Sequence, residues 1–271
     1  MPQFAAITQD RHGARRWRRY ASYDFARERP VLPLVGAELP RAALAFPIAF
    51  LPEGEGFVTA ALMSLNPKGN LYVGPDGRWL GSYVPAALRG HPFALLPREG
   101  GDRVFCIDEA AELISDDGTG EPFFDQDGAI AEPTRKVLDF LTSVEQSRAA
   151  IRKATAALAE AELIVPWEIT VQSAAGPQKV AGLHKLDEAA LTALPMEGFE
   201  ALRRAGAVAL AYCQILSMQH LPALGRLAEA HAKQLRETET ILKESFTAED
   251  SGDIDIDWTA FADQGTGENK P

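Results

Sequence analysis

Few side chains in this sequence are equipped to hold a metal or carry a proton, so the places where they fall close together are soon found. There are 5 histidines and 2 cysteines, Cys106 and Cys213. His184 and Asp187 stand three residues apart in GLHKLD, which is half of a 2-His-1-carboxylate iron site. The second imidazole would have to come from His220 or His231, nearer the C-terminus. Asp187 also stands where a helix N-cap belongs, ahead of EAALTAL, and a capping carboxylate needs no metal. Cys213 and His220 share one helical face, but no further ligands can be placed beside them, so they read as a core thiol and a hydrogen-bonded histidine. Asp125-Gln126-Asp127-Gly128 has the look of the middle of a calcium loop. Phe123 and Thr134 occupy the positions of that loop's first carboxylate and bidentate glutamate, so the segment reads as an Asp-Gly turn.

The densest polar-aromatic group is Asn70, Tyr72, Arg78, Trp79, Tyr83, Arg89 and His91. Aromatic faces beside arginine donors suit a carbohydrate, a peptide or an anionic ligand. The same residues would also serve a sheet whose outer face packs under helices. Several reactive templates are missing: the P-loop, G-x-G-x-x-G, the G-x-S-x-G elbow, the kinase signatures, H-E-x-x-H and paired C-x-x-C. No catalytic residue and no cofactor is expected from the motifs.

The elements that must position these side chains suggest an α+β protein, a mostly antiparallel sheet in the N-terminal half packed against a helical C-terminal half. Residues 46–128 read as β-rich, with short apolar runs at 46–51, 57–66, 70–73, 78–84, 92–96 and 103–107 punctuated by Gly, Pro, Asn and Asp. Asp76-Gly77 predicts a tight hairpin between the runs at 70–73 and 78–84, and Asn66-Pro67-Lys68-Gly69 a second turn. Such short connections make the pairing antiparallel. From 129 to 245 the reading is helical with one hairpin. Val137, Leu141, Val144, Ile151, Ala154, Leu158 and Ala161 form a helical stripe that begins at Pro133 and stops before Pro166. A hairpin of 167–173 with 178–186 turns at Ala174-Ala175-Gly176-Pro177 and points Glu168, Thr170 and Gln172 outward. Short helices follow at Asp187 and over Met196–Arg204, the second closed by Gly206. The run 207–221 is apolar nearly all round, which predicts a central buried helix. After Pro222 a last helix carries Leu224, Leu227, His231, Leu235, Thr238 and Leu242 on one face.

Charge divides the chain into a basic N-terminal segment (1–30), a single domain (31–245) and an acidic tail (246–271) expected to be disordered. Asp10 to Arg29 holds seven arginines against three acids, and Glu244 to Pro271 eight acids against one lysine. The net charge of −11 repels a phosphate backbone, so nucleic acid is not an expected partner. No secretory signal is recognisable, and the apolar run 205–218 is shorter than the ~20 residues that cross a bilayer. The expected location is therefore the cytoplasm, without membrane insertion.

Beyond these readings, the chain resembles the bacterial SapC family through FPIAF (46–50), NLYVGPDGRWLGSYVP (70–85), HPFALL (91–96), CIDE (106–109), GEPFFDQDG (120–128), LIVPWEITV (163–171), GLHKLDEAAL (182–191) and GAVALAYCQILSMQHLPAL (206–224). The resemblance runs from Phe46 to about Leu227 and leaves out the arginine-rich start and the acidic tail. It implies a connection with bacterial surface-layer production, and it carries over no catalytic residue and no cofactor. The expectation is a non-catalytic accessory that binds a protein or glycan in envelope biogenesis, with the seven-residue cluster as its contact face. Two alternatives are a metal-dependent enzyme (iron or zinc) using His184, Asp187 and a C-terminal histidine, and a homo-oligomer formed through the last helix.

Overall fold

The computed structural model describes residues 2–249 except 68, 99, 174 and 175. Its architecture is α+β, with antiparallel sheets gathered in the N-terminal half and helices in the C-terminal half. The chain divides into two compact units, Met1–Ala228 and Glu229–Pro271, and the second is helical over its described residues.

The main sheet has five strands in the order Ile164–Pro166, His184–Leu186, Ile48–Glu53, Gly56–Leu62 and Val31–Pro33. Its centre is the hairpin of Ile48–Glu53 with Gly56–Leu62, which turns at Gly54 (φ 59°). Ile48, Ala49 and Phe50 are all fully buried, so both faces of that strand are covered where it starts. The 29-residue helix Glu132–Glu160 packs against Gly56–Leu62, and it buries Val144, Ile151, Ala154 and Leu158 from the expected stripe. Within that contact Thr59 and Thr155 share a hydrogen bond of 2.7 Å between hydroxyls, and both side chains are buried.

Where His184–Leu186 meets Ile48–Glu53 the ladder is short, with His184 opposite Phe50 as its one paired position. Gln214, on the helix Ala207–Ser217, closes the gap. Its Oε1 accepts from the Leu186 amide at 3.1 Å, and its Nε2 donates to the Ile48 carbonyl at 3.1 Å. Ser217 Oγ accepts from the Ile48 amide at 2.9 Å. These are bonds a neighbouring strand would otherwise make, and they explain polar side chains that are fully buried in an apolar helix. The helix is buried along one face only: Ala207, Leu210, Ala211, Gln214 and Ser217 point inward, whereas Tyr212 and Leu216 are 50% and 61% exposed. The expectation of a helix buried all round is corrected accordingly.

The expected boundary at residue 30 is also corrected. Phe4–Ala6 pairs with Arg103–Asp108, which pairs in turn with Phe93–Pro97. Arg16–Trp17 is the middle strand between Ile114–Ser115 and Glu121–Pro122. Trp17 anchors a second core with Phe93, Ile107 and Phe123. The arginines that look unpaired in sequence meet an acidic segment about a hundred residues away: Arg11 bonds Glu109, Arg15 bonds Asp116, and Arg18 and Arg19 face Asp117 and Glu121. Most of these pairs are exposed and add little stability one by one. They do explain why a basic segment lies down on this domain.

The expected hairpin of 167–173 with 178–186 is corrected in its second half. Ile169–Ser173 pairs with Gly176–Val180, with Glu168 and Thr170 exposed, but His184–Leu186 leaves it to pair with Ile164–Pro166 in the main sheet. Ala174 and Ala175 lie outside the described residues. Other expectations hold. Asp187 Oδ1 caps Glu188–Thr192 through the Ala190 amide at 3.0 Å. Gly206 (φ 73°) closes Met196–Ala205. Asp125 Oδ1 accepts from the amides of Asp127 and Ala129, a turn that leads into the long helix. A single 3-10 turn, Met218–His220, precedes the final helix Leu221–Glu249, so Pro222 sits in its first turn. By length and composition alone Ala207–Lys233, 27 residues with mean hydropathy 1.2, reaches what a membrane-crossing helix needs, which the shorter run 205–218 does not; the core helix of a globular protein meets the same test. Leu224 of the last-helix face is buried. The side chains of Leu235, Thr238 and Leu242, and the tail from residue 250 on, lie outside the described residues.

Candidate functional site: two grooves around the 70–91 segment

The segment 70–91 is folded by a glycine turn. Gly77 has φ 77°, and a Cβ there would collide with Ser22 Oγ, so glycine alone allows the turn to dock on residues 22–24. The Tyr23 amide donates to the Gly77 carbonyl at 2.8 Å and holds it there. The flanking runs do not become hairpin strands as expected: Val73 and Trp79 form one isolated bridge, and the rest is irregular. Two backbone bonds cross between the runs, from the Leu80 amide to the Tyr72 carbonyl and from the Gly74 amide to the Arg78 carbonyl, both at 2.8 Å, while the Asn70 and Leu71 amides donate outside the segment, to the carbonyls of Arg27 and Met63. The second expected turn includes Lys68, which lies outside the described residues.

This folding divides the seven expected face residues. Asn70 and Tyr72 are buried and leave the face. Asn70 Oδ1 accepts from the Tyr72 amide at 3.0 Å, and its Nδ2 donates to the Ala26 carbonyl at 3.2 Å. The Tyr72 ring meets Phe46 edge-on, and burial pushes its hydroxyl pKa to about 12. Trp79 is half-buried, its indole donating to the Tyr83 carbonyl at 2.7 Å. Arg78 is exposed and bonded to Asp76. Tyr83 and Arg89 turn toward the long helix, and His91 turns the other way, toward the N-terminal segment.

On the His91 side lies a groove of about 630 Å3, walled by Tyr20, Phe25 and His91 and edged by Asp24, Glu28 and Asp108. The His91 ring stacks on Phe25, with centroids 3.7 Å apart, and Tyr20 sits edge-on to both. Burial lowers the His91 pKa to about 4, against the pull of Asp108, so the imidazole is neutral at pH 7. Burial, reinforced by Tyr23, raises Tyr20 to about 12. Near neutral pH the aromatic wall is therefore uncharged, and the charged groups at the groove's edge are the carboxylates of Glu28 and Asp108 and that of Asp24, which is paired with Arg27.

The shift of His91 has a direction that can be tested. The unfolded chain takes up a proton as pH drops below 6.5, and the folded chain resists until about 4. Stability tied to this group is complete above pH 6.5 and falls as pH is lowered toward 4, by roughly 2–3 kcal/mol. Urea unfolding at pH 7.0 and 4.5 should show that loss, and His91→Gln should reduce the difference between the two pH values. An equal difference in both proteins would refute it.

On the other side the buried carboxylate of Glu38 is the hub. It accepts from the Val35 amide at 3.0 Å, the Ala86 amide at 2.7 Å and the Tyr83 hydroxyl at 2.9 Å. Burial and the adjacent Glu38 charge push Tyr83 to about 12. Glu38 is missed by motif reasoning, although one signal was available: it is the lone acid in the apolar run VLPLVGAELP. Tyr20 and Phe25 carry no comparable mark, because only long-range packing places them beside His91.

His184, Asp187 and His220 are not gathered into a metal set. His184 lies in its strand with its ring edge-on to Phe57, Asp187 is occupied as a cap, and His220 ends the 3-10 turn. Among the described residues no group of three or more His, Cys, Asp or Glu side chains is arranged to hold a metal ion. Cys106 and Cys213 are free thiols whose pKa values burial raises.

The fold and its grooves define an α+β protein with surface clefts shaped by its sheets and helices. The chain belongs to the SapC family, whose model matches residues 7–224. The match begins well before Phe46, so the arginine-rich start lies inside the family region, as its place in the sheets requires. Neither the curated proteins nor the solved structures contain a match to this chain.

Proposed function

We propose that this protein is a non-catalytic binding accessory in bacterial envelope or surface-layer biogenesis, acting in the cytoplasm by holding a glycan segment in the groove beside His91. Membership of the SapC family supports the setting. The observation that carries the ligand class is the uncharged wall of Tyr20, Phe25 and His91 edged by carboxylates. Sugar rings present C–H faces that pack on aromatic side chains, and their hydroxyls donate to carboxylates. A groove of about 630 Å3 has room for a short oligosaccharide.

Calorimetric titration with N-acetylhexosamine oligomers tests this reading. Binding is expected, and Tyr20→Ala should weaken it by about 2 kcal/mol, close to thirtyfold, as at other aromatic anchors. Asp24→Asn should weaken it less. If the oligomers do not bind, or if Tyr20→Ala binds them as tightly as the parent while keeping its circular dichroism spectrum, the glycan reading is wrong. Binding of an envelope protein at the same groove would replace it.

A further inference from the structure

A second cavity, of about 310 Å3, opens between the turn Gly36–Glu38, the stretch from Tyr83 to Arg89 and the long helix Glu132–Glu160. Its walls are apolar: Val35, Ala86 and Val144 are buried there, and Phe140 packs against them. Its polar lining is Arg41, Arg89, Tyr83, Ser143 and Ser147, with the buried Glu38 carboxylate, held by its own three donors, as the one acid.

Both guanidiniums have binding capacity left. Arg41 is exposed and forms no ion pair among the described residues. Arg89 donates to the Tyr83 hydroxyl at 3.0 Å, its only hydrogen bond among the described residues, although an arginine has five N–H donors. Its nearest carboxylate oxygen, on Glu38, is 4.0 Å away, too far for a hydrogen bond. The hydrogen bonds of Glu38 come from two amides and a hydroxyl, so Arg89 acts on it as a nearby charge and keeps its N–H donors free of it. Arg89 is also held in place, with its guanidinium carbon 5.0 Å from the Phe140 ring centroid and 5.6 Å from that of Tyr83. Ser147 Oγ accepts from the Ala37 amide at 2.8 Å, which leaves its hydroxyl proton available to a ligand.

We propose that this cavity binds an oxyanion, phosphate or carboxylate, borne on a small apolar or aromatic body. Guanidinium forks match the paired oxygens of both groups, and a fork already fixed by stacking loses little freedom when it binds. The apolar walls would take the body of the ligand, and the volume suits a molecule of one ring. The attraction must be local, since the chain as a whole carries −11 and repels anions.

The full chain can be titrated at low ionic strength with phenyl phosphate, benzoate and uncharged phenol, read by calorimetry and by NMR. Saturable one-site binding of phenyl phosphate or benzoate is expected, with phenol about tenfold weaker or more and the shifts centred on Phe140. Whichever anion binds more tightly identifies the ligand as a phosphate or a carboxylate. Arg41→Gln, at an exposed side chain, should keep the melting temperature and weaken binding about tenfold. Ser143→Ala, also exposed, should weaken it less and serves as the second variant. No saturable binding of either anion, equal binding of phenol, or affinity unchanged in both variants would overturn the proposal.

Discussion

Trp17→Ala is expected to cost about 3–5 kcal/mol, the usual penalty for emptying a large aromatic site in a core. The side chain is 3% exposed and meets Phe93 edge-on at 4.9 Å. Its indole N–H donates to Thr134 Oγ1 at 2.9 Å, and that hydroxyl donates on to the Pro122 carbonyl at 2.9 Å. One residue of the N-terminal segment thus ties the middle strand of a small sheet to the first turn of the long helix. Trp17→Phe keeps most of the apolar contact and removes the donor, so its cost should be nearer 1–2 kcal/mol. Urea unfolding followed by circular dichroism reads both values. A loss below about 1 kcal/mol for the alanine variant would mean that the arginine-rich segment is peripheral after all.

The second large effect is expected at Gln214. Gln214→Leu keeps the volume but removes the side-chain partner of the buried Leu186 amide and Ile48 carbonyl. At about 1–3 kcal/mol for each unpaired buried group, the loss should be about 2–6 kcal/mol. Gln214→Glu separates the two bonds. A carboxylate can still accept from Leu186, but it sets a charged acceptor against the Ile48 carbonyl, so it should destabilise strongly at pH 7 and recover in part when acid protonates it. Hydrogen exchange gives an independent reading, because the Leu186 amide should exchange faster in Gln214→Leu. An unchanged exchange rate together with a stability loss under 1 kcal/mol would show that the strands are joined without this side chain.

Both predictions concern polar contacts that cross long stretches of sequence, and this is also where sequence reading stopped. The stripe from Val137 to Ala161 predicts the helix Glu132–Glu160 because helical period and burial are local properties. Gly206 and Asp187 mark helix ends for the same reason, since capping is settled within four residues. In the 70–91 segment the glycine turn was legible and the strands around it were not. Asn70 and Tyr72 carry the composition of a contact face, yet a bond from Asn70 to Ala26 and a ring contact between Tyr72 and Phe46 draw them inside. Of the other five, His91 lines a groove completed by Tyr20 and Phe25, Tyr83 and Arg89 line one completed by Glu38 and Arg41, and Arg78 and Trp79 line neither.

The amino-acid order by itself determined the α+β class, the main helices, the turn chemistry and the family, because each rests on periodicity, short-range capping or a run of neighbouring residues. Only the tertiary structure decided that the basic start is built into the sheets, that Gln214 stands in for a missing ladder, and which side chains share a groove. Those outcomes depend on pairs such as Trp17 with Thr134 and Gln214 with Ile48, separated by 117 and 166 positions. A pair that far apart leaves no local pattern, because what selects it is the burial of a polar group that must find its partner once the core has closed.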